Sequence, residues 1–319
     1  MVKELIIDEY FDGYKSKELN CIDLPLAACL GYFERDYYFF YCIIYCFYVN
    51  WMGKYDESWL STRQNILKFL NIDMKEKNTE LLQSIKDSIK SNSPTLMIVK
   101  YGSLPYSAYY KTGLYDHGVI ICGYDENIGT YIVRDREVVR QYINSDLWNS
   151  DVLFRLQISD KELEQIISES YRLNSGNSKI CGKIYTFRNK EKCMVDAKTV
   201  INSIKNCAVT SSSSLISYIE YRNVMTERGS LYSKEIIEAD RRRFSKVFQL
   251  FCKACSRYFY ISEQTKQCFE AFISNREALI DRIQLSFMRG ETVLITDLKL
   301  ELTDDKRKFL ELLSGITEE

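Results

Sequence analysis

The feature that most constrains the fold is a pair of β-rich runs near the middle of the chain. Residues 117–137 contain two such runs joined by a turn at residues 125–129, which is the pattern of an antiparallel β-hairpin. Two further short apolar runs, at residues 96–102 and 152–158, are predicted to be strands. A chain with this hairpin is expected to build an antiparallel sheet around it.

Helical patterns lie on both sides of the strands. Three helices are predicted before them, at residues 21–33, 58–70 and 79–91. Helices followed by strands, rather than alternating with them, indicate an α+β fold.

The last part of the chain is predicted to be mostly helical. Its apolar side chains, for example Phe244, Phe248 and Phe251, recur at steps of three and four, and one candidate strand lies at residues 180–187. We therefore predict an α+β domain at residues 1–158 and a mostly helical domain at residues 159–319, packed against it.

Composition argues against nucleic-acid and membrane partners. Lys and Arg number 43 and Asp and Glu number 44, so there is no basic excess to neutralise phosphates. The apolar segment at residues 37–52 is 16 residues long, short of the roughly 20 that cross a bilayer, and is predicted to be a buried core element. The first residues contain no apolar signal segment, which favours a reducing, cytoplasmic location.

The cysteines are expected to be free thiols rather than disulfides or metal ligands. Eleven are present. Cys252 and Cys255 are separated by two residues, but they lie in a helical pattern with no neighbouring His or second Cys pair, which disfavours zinc. No metal or cofactor is predicted.

The hairpin places one carboxylate beside the only histidine of the chain, His117. A turn centred on Asn127 pairs Val119 with Asp135 and Tyr124 with Thr130, so Asp135 shares a face with His117. Asp116 points to the opposite face, and Asp125 lies about 26 Å along the strand. Asp135 is therefore predicted to orient the imidazole, provided that the register does not slip by one residue.

Cys21 is the predicted nucleophile, because it alone among the cysteines begins a helix. The positive end of the helix dipole stabilises a thiolate, and free backbone N–H groups there can bind an oxyanion. Cys29, Cys42 and Cys46 lie in apolar runs typical of a core. The alternative for Cys21 is a small buried helix residue.

The order Cys, His, Asp resembles the papain-like cysteine peptidase fold, in the branch that contains bacteriocin-leader peptidases. The matching segments are NCIDLPLAACLGYF around Cys21 and DHGVIICGYDENIGTYIVRD ending at Asp135. Within that fold the sequence is most similar to acyltransferases of the butirosin biosynthesis protein H type and to the amide-forming enzyme of closthioamide assembly. The resemblance covers roughly residues 15–158.

This resemblance implies an amide-forming thiol acyltransferase of natural-product biosynthesis with the triad Cys21, His117 and Asp135. Its donor is an acyl or peptidyl thioester on the phosphopantetheine of a carrier protein, and its acceptor is an amine. A cysteine peptidase or amidase with the same triad and a noncatalytic binding protein remain alternatives. Three arginines at residues 241–243 are a candidate basic patch for an acidic carrier protein, although a solvated helix face is the simpler interpretation. The sequence leaves the oligomeric state open.

One position departs from the peptidase pattern. Papain-like peptidases commonly carry a Gln six residues before the Cys as an oxyanion donor, and here that residue is Lys15. Asn20 is a weak alternative donor, and the backbone N–H of Cys21 is a better one. This departure weakens the interpretation as an ordinary protease.

Overall fold

The computed structural model describes residues 2–7, 19–136, 153–174, 178–190, 194–230 and 232–316. The chain divides into two compact units. Unit 1 contains Met1–Tyr38 and Asn71–Met194, and unit 2 contains Phe39–Leu70 and Val195–Glu319.

Unit 1 is built on an antiparallel sheet. Its strands among the described residues are β1 (Val2–Glu4), β2 (Ile72–Lys77), β3 (Thr95–Lys100), β4 (Asp116–Asp125), β5 (Thr130–Asp135), β6 (Phe154–Ser159) and β7 (Lys183–Asn189). Their order is β2-β7-β3-β4-β5-β6, and β1 pairs with the far end of β4. Every described pairing is antiparallel, which confirms the predicted fold class.

Helices cover both faces of this sheet. Unit 1 contains α1 (Asp23–Phe33), α4 (Leu81–Lys90) and α5 (Asp160–Asn174). Helices α4 and α5 bury apolar residues against odd-numbered positions of β3 and β4, such as Val99 and Val119. Helix α1 packs on β3 and β4 at even-numbered positions, where Leu96 and Gly118 lie. Because side chains alternate along a strand, α1 is on the opposite face from α4 and α5.

Unit 2 is helical throughout its described residues. Its helices are α2 (Tyr37–Phe47, which begins in unit 1), α3 (Trp59–Lys68), α6 (Ala197–Thr210), α7 (Ser214–Glu227), α8 (Lys234–Arg241), α9 (Val247–Cys255), α10 (Glu263–Met288) and α11 (Ile295–Ser314). The Phe309 ring lies within 5.0–6.4 Å of the rings of Phe47, Trp51, Phe248, Phe251 and Phe272. The buried Arg276 guanidinium is satisfied by Asn50, Asp305 and the carbonyl of Phe244.

The aromatic segment at residues 37–52 is buried as predicted, apart from a partly exposed Tyr45 and an exposed Met52 at its end. It forms α2 and continues into a π-helical turn at Tyr48–Met52. Across the described ranges, no helix combines the length and apolar character that a bilayer crossing requires.

The predicted boundary at residue 158 does not coincide with the division between the units. Residues after 158 form α5 and β7, and β7 lies between β2 and β3 in the sheet of unit 1. Residues 39–70 belong to the helical unit instead. Strand β2, IDMKEK, was not expected, because a short strand with charged residues at four of its six positions carries little apolar alternation.

Candidate active site

Cys21 lies at the start of a helix, where the sequence places it. The Asn20 side-chain oxygen accepts from the backbone N–H of Ile22 at 2.9 Å and of Asp23 at 2.8 Å. The Asn20 carbonyl accepts from the N–H of Leu24 at 3.1 Å, so helical hydrogen bonding begins at Asn20. Asn20 therefore caps the turn that leads into α1, and its oxygens pair the N–H groups of Ile22, Asp23 and Leu24, which leaves the N–H of Cys21 as the first donor of this turn.

A glycine lets strand β4 pass close to this helix start. The Gly118 N–H donates to the Cys21 carbonyl at 3.2 Å. A Cβ atom at Gly118 would lie 3.1 Å from Ile22 Cα and 3.2 Å from the Cys21 carbonyl oxygen, closer than ordinary contact. Glycine thus places the neighbouring His117 within reach of the Cys21 sulfur.

The structure brings Cys21, His117 and Asp135 together. The Nε2 atom of His117 lies 2.9 Å from Oδ1 of Asp135, and Cys21 lies close enough to the imidazole to contribute to the raised pKa of His117. Because Nε2 faces the carboxylate, Nδ1 is the nitrogen that remains for the sulfur. The thiol is exposed, whereas His117 and Asp135 are buried. The Cys21 sulfur also lies 3.3 Å from the carbonyl oxygen of Asp116.

This environment favours the imidazolium form of His117. Burial opposes protonation, but the charge of Asp135, the hydrogen bond to it and the contact with Cys21 outweigh burial and raise the pKa of His117 from 6.5 to about 10. His117 therefore carries a proton at neutral pH. The site thus places a proton carrier beside an exposed thiol, the pairing that nucleophilic catalysis uses.

Two tyrosines that the sequence analysis missed complete the site. The Tyr106 hydroxyl donates to Oδ2 of Asp135 at 3.0 Å, and both side chains are buried. The Tyr101 ring lies over His117 with a centroid distance of 4.7 Å. Tyr106 is 29 residues from Asp135 in sequence, so no local pattern could reveal their contact.

The register of the hairpin is confirmed at the His117 end and wrong at the turn. Ile120 pairs with Arg134, which is the predicted register. Tyr124, however, pairs with Tyr131 rather than Thr130, and a β-bulge between Ile121 and Gly123 absorbs the difference. On the side of the bulge that contains His117 and Asp135, the residue pairs follow the predicted register. Asp135 therefore lies on the predicted face of the sheet.

The rival carboxylates lie elsewhere, as expected. Asp116 forms an ion pair with Lys100 at 2.8 Å and accepts from the Ser178 hydroxyl at 2.6 Å. Asp125 accepts from the N–H of Asn127 in the turn.

The other described cysteines lack the surroundings of Cys21. Burial raises the pKa of Cys29, Cys46 and Cys255 well above 9.0, and it raises that of Cys122 to about 11. Cys268 is exposed, but it belongs to unit 2, whereas His117 belongs to unit 1. Within the described ranges, no group of three or more His, Cys, Asp or Glu side chains is arranged to hold a metal.

Lys15 and Asn20 are the two side chains that the sequence raised in connection with oxyanion binding. Lys15 lies outside the described residues. The Asn20 amide donates to the Asp23 carboxylate at 2.8 Å, so helix capping accounts for this side chain and an oxyanion role is not supported.

The three arginines at residues 241–243 do not form a continuous patch. Arg241 pairs with Asp281 at 2.7 Å. Arg243 instead donates to the carbonyls of Lys54 and Tyr55. These separate partners argue against one shared basic patch, and the partial burial of Arg243 also departs from a solvated helix face.

Comparisons with known proteins find a distant structural neighbour. No family model matches the chain, and no curated protein matches it. A solved structure from Bacillus anthracis, provisionally described as a C39-like peptidase, is similar with 15% sequence identity and a TM-score of 0.24. The alignment covers 42% of this chain and 58% of that chain, so this chain spans less than two thirds of its neighbour. A likeness at this level carries no functional argument.

Proposed function

We propose that this chain is a cysteine-dependent acyltransferase of papain-like type, which moves an acyl group from a thioester to an amine through an acyl-Cys21 intermediate. The observation that supports the proposal most is the linked contact of an exposed thiol, a buried imidazole and a buried carboxylate, with Nε2 of His117 2.9 Å from Asp135. These are the three roles that nucleophilic acyl transfer requires: nucleophile, proton carrier and orienting group. All three belong to unit 1, which we propose as the catalytic part.

In the first step the Cys21 thiolate attacks the carbonyl carbon of the donor thioester. The tetrahedral intermediate collapses, the bond between the carbonyl carbon and the donor sulfur breaks, and the departing thiolate takes the proton of the His117 imidazolium. The products are an acyl-Cys21 thioester, a free donor thiol and a neutral imidazole.

In the second step an amine attacks the acyl-Cys21 carbonyl. Neutral His117 accepts the proton that the amine loses, the bond to the Cys21 sulfur breaks, and an amide is released. This restores the thiolate and the imidazolium, so protons and charges balance over the cycle. Asp135 stabilises the imidazolium and holds the ring with Nδ1 towards the sulfur.

Oxyanion stabilisation favours an activated donor over a peptide. The N–H of Cys21 is the first in its helix, and no hydrogen bond to it is found among the described residues. Lys15 replaces the Gln that papain-like peptidases use as a second donor. A thioester is more reactive than an amide and needs less oxyanion stabilisation, which fits a donor held on the phosphopantetheine of a carrier protein.

Intact-mass analysis after incubation with an acyl thioester of N-acetylcysteamine tests the nucleophile. We expect a single acyl adduct on the native protein and none on Cys21→Ala. His117→Ala should slow formation of the adduct by roughly 10²–10⁴-fold, because it removes the proton carrier, and Asp135→Asn should slow it less. Exposed Cys268 is an internal control, since its iodoacetamide alkylation should be the same in all variants. Equal adduct formation in the native protein and Cys21→Ala would refute the proposal.

A second measurement separates transfer from hydrolysis. When an amine is added to the acylated protein, transfer predicts loss of the adduct with appearance of the amide, at a rate that depends on amine concentration. Release of free acid at a rate independent of amine would instead assign a hydrolase with the same three residues.

A further inference from the structure

The loop between β3 and β4 displays apolar side chains next to the candidate site. This tyrosine loop, residues 101–115, contains five tyrosines, of which Tyr101 and Tyr106 contact His117 and Asp135. Three other apolar side chains of the loop are exposed, Tyr109 at 54%, Leu114 at 62% and Tyr115 at 73%, whereas Leu104 is buried in the core. Large apolar side chains grouped in this way on a surface mark binding sites more often than isolated ones do.

Backbone hydrogen bonds hold this loop in one conformation. Tyr101 N–H donates to the Tyr115 carbonyl at 2.8 Å, and Gly102 N–H donates to the Gly113 carbonyl at 2.8 Å. A Cβ atom at Gly102 would lie 2.7 Å from the Gly113 carbonyl oxygen. A side chain at Gly102 would therefore collide with the backbone of the facing loop segment. The exposed rings are therefore presented by an ordered backbone, which lowers the entropy cost of binding to them.

The exposed side chains are continuous with the reacting groups. The Tyr109 ring lies 5.2 Å from the Tyr101 ring, which in turn lies over His117. Tyr115 directly precedes Asp116, whose carbonyl oxygen is 3.3 Å from the Cys21 sulfur. An acyl group attached to the Cys21 sulfur therefore starts next to Asp116, the residue that follows Tyr115 in the chain.

The chemistry of the loop selects an apolar ligand. Lys111 is its only charged residue, and the Lys111 ammonium lies 5.3 Å from the centre of the Tyr110 ring. Rings and a leucine side chain remain for contact. They bind hydrocarbon or aromatic groups through removal of apolar surface from water.

We infer that Tyr109, Leu114 and Tyr115 form the binding surface for an apolar acyl group carried by Cys21. This inference rests on the proposed function, because it concerns the acyl group of the same reaction. The acyl group stays on the enzyme during both steps, whereas the donor thiol leaves after the first. Contacts to the acyl group therefore assist both steps and determine which acyl chains are used.

The test compares acetyl and hexanoyl thioesters of N-acetylcysteamine by the rate of adduct formation on Cys21. The native protein should prefer hexanoyl by roughly 10-fold, since several methylenes gain apolar contact. The double variant Leu114→Ser/Tyr115→Ser should lose most of this preference. The matched control is Ile128→Ser, which removes a side chain that is 61% exposed in the turn at the other end of β4 and should keep the preference.

The outcomes separate this inference from the proposed function. Equal rates for the two thioesters in the native protein, or a preference that survives in the double variant, would overturn the inference alone. If the surface docks a protein partner instead of an acyl group, the preference for hexanoyl would survive in the double variant. Absence of any acyl adduct in the native protein would overturn the proposed function and this inference together.

Discussion

At the scale of single residues, the central feature is a buried charge pair that is fully hydrogen-bonded. Asp135 accepts from His117 through one oxygen and from Tyr106 through the other. A buried carboxylate is costly unless such donors surround it. Tyr106 therefore satisfies the second oxygen of the buried Asp135 carboxylate, and the interaction of Asp135 with His117 raises the pKa of the imidazole.

Replacing Asp135 by Asn should lower the pKa of His117 sharply. The charge that offsets burial is removed, so burial should bring the pKa from about 10 to roughly the ordinary 6.5 or below. Because the chain has one histidine, a single pair of imidazole ring signals in an NMR titration reports the change.

The matched control for this titration is Asp116→Asn. Asp116 adjoins His117 in sequence, but its carboxylate pairs with Lys100 and Ser178. A titration of His117 near neutral pH in the native protein, or an equal shift in both variants, would contradict the assigned pairing.

At the scale of elements, the site depends on how closely helix α1 approaches strand β4. Their contact includes a backbone hydrogen bond from Gly118 to Cys21, in the turn that leads into α1, and a Cβ atom at Gly118 would be tighter than ordinary contact. Backbone atoms on the helix side cannot move aside as the end of a flexible side chain can. The distance between sulfur and imidazole is thus set by main-chain packing.

Gly118→Ala should displace the start of α1 and slow the chemistry of Cys21. We expect a loss of stability of about 1–3 kcal/mol, typical of overpacking, together with slower alkylation of Cys21 by iodoacetamide. The control Ile120→Val alters the same strand and costs about 0.5–1.5 kcal/mol, without adding an atom near Cys21. If both variants lose reactivity equally, the close approach is not what positions the thiol.

The elements also show what local sequence reveals. The spacing of His117 and Asp135 about a turn predicted their contact, because a two-residue period fixes which side chains share a face. The bulge at residues 121–123 escaped prediction, although Gly123 lies inside the strand and a glycine there is a common mark of a bulge. The contacts of Tyr101 and Tyr106 also escaped, because they depend on how a 15-residue loop folds back over the site.

At the scale of the whole molecule, the two units are interleaved along the chain. The predicted division assumed that the strands ended near residue 158, but β7 completes the sheet after α5, and the segment at 39–70 belongs to the helical unit. The spacing of apolar residues identifies each helix or strand. Which sheet or unit that helix or strand joins is decided by packing between residues far apart in sequence. The class of fold was therefore predictable and the boundary was not.

The dependence of stability on pH joins the site to the whole molecule. The pKa of His117 is raised from 6.5 to about 10 on folding, so the folded state binds the proton more tightly than the unfolded state does. The resulting stabilisation is fully present below pH 6.5 and is lost as pH rises towards 10. Buried thiols such as Cys29 and Cys46, whose pKa values are raised by burial, reduce stability only from about pH 9 upwards. Cys21→Ala removes the thiol that exchanges a proton with the imidazole, so in this variant His117 should dominate the range between pH 6.5 and 8.5 among the described side chains.

Urea unfolding at a series of pH values measures this contribution. We expect the free energy of unfolding of Cys21→Ala to fall between pH 6.5 and 8.5 by an amount on the order of a few kcal/mol. In Cys21→Ala/His117→Gln the same interval should be nearly flat, because the imidazole that titrates there has been removed. Both proteins should decline above pH 9, as the thiols ionise in the unfolded chain. A Cys21→Ala curve that is flat through pH 8.5, or a double-variant curve that keeps the slope, would mean that Asp135 does not hold His117 in its charged form.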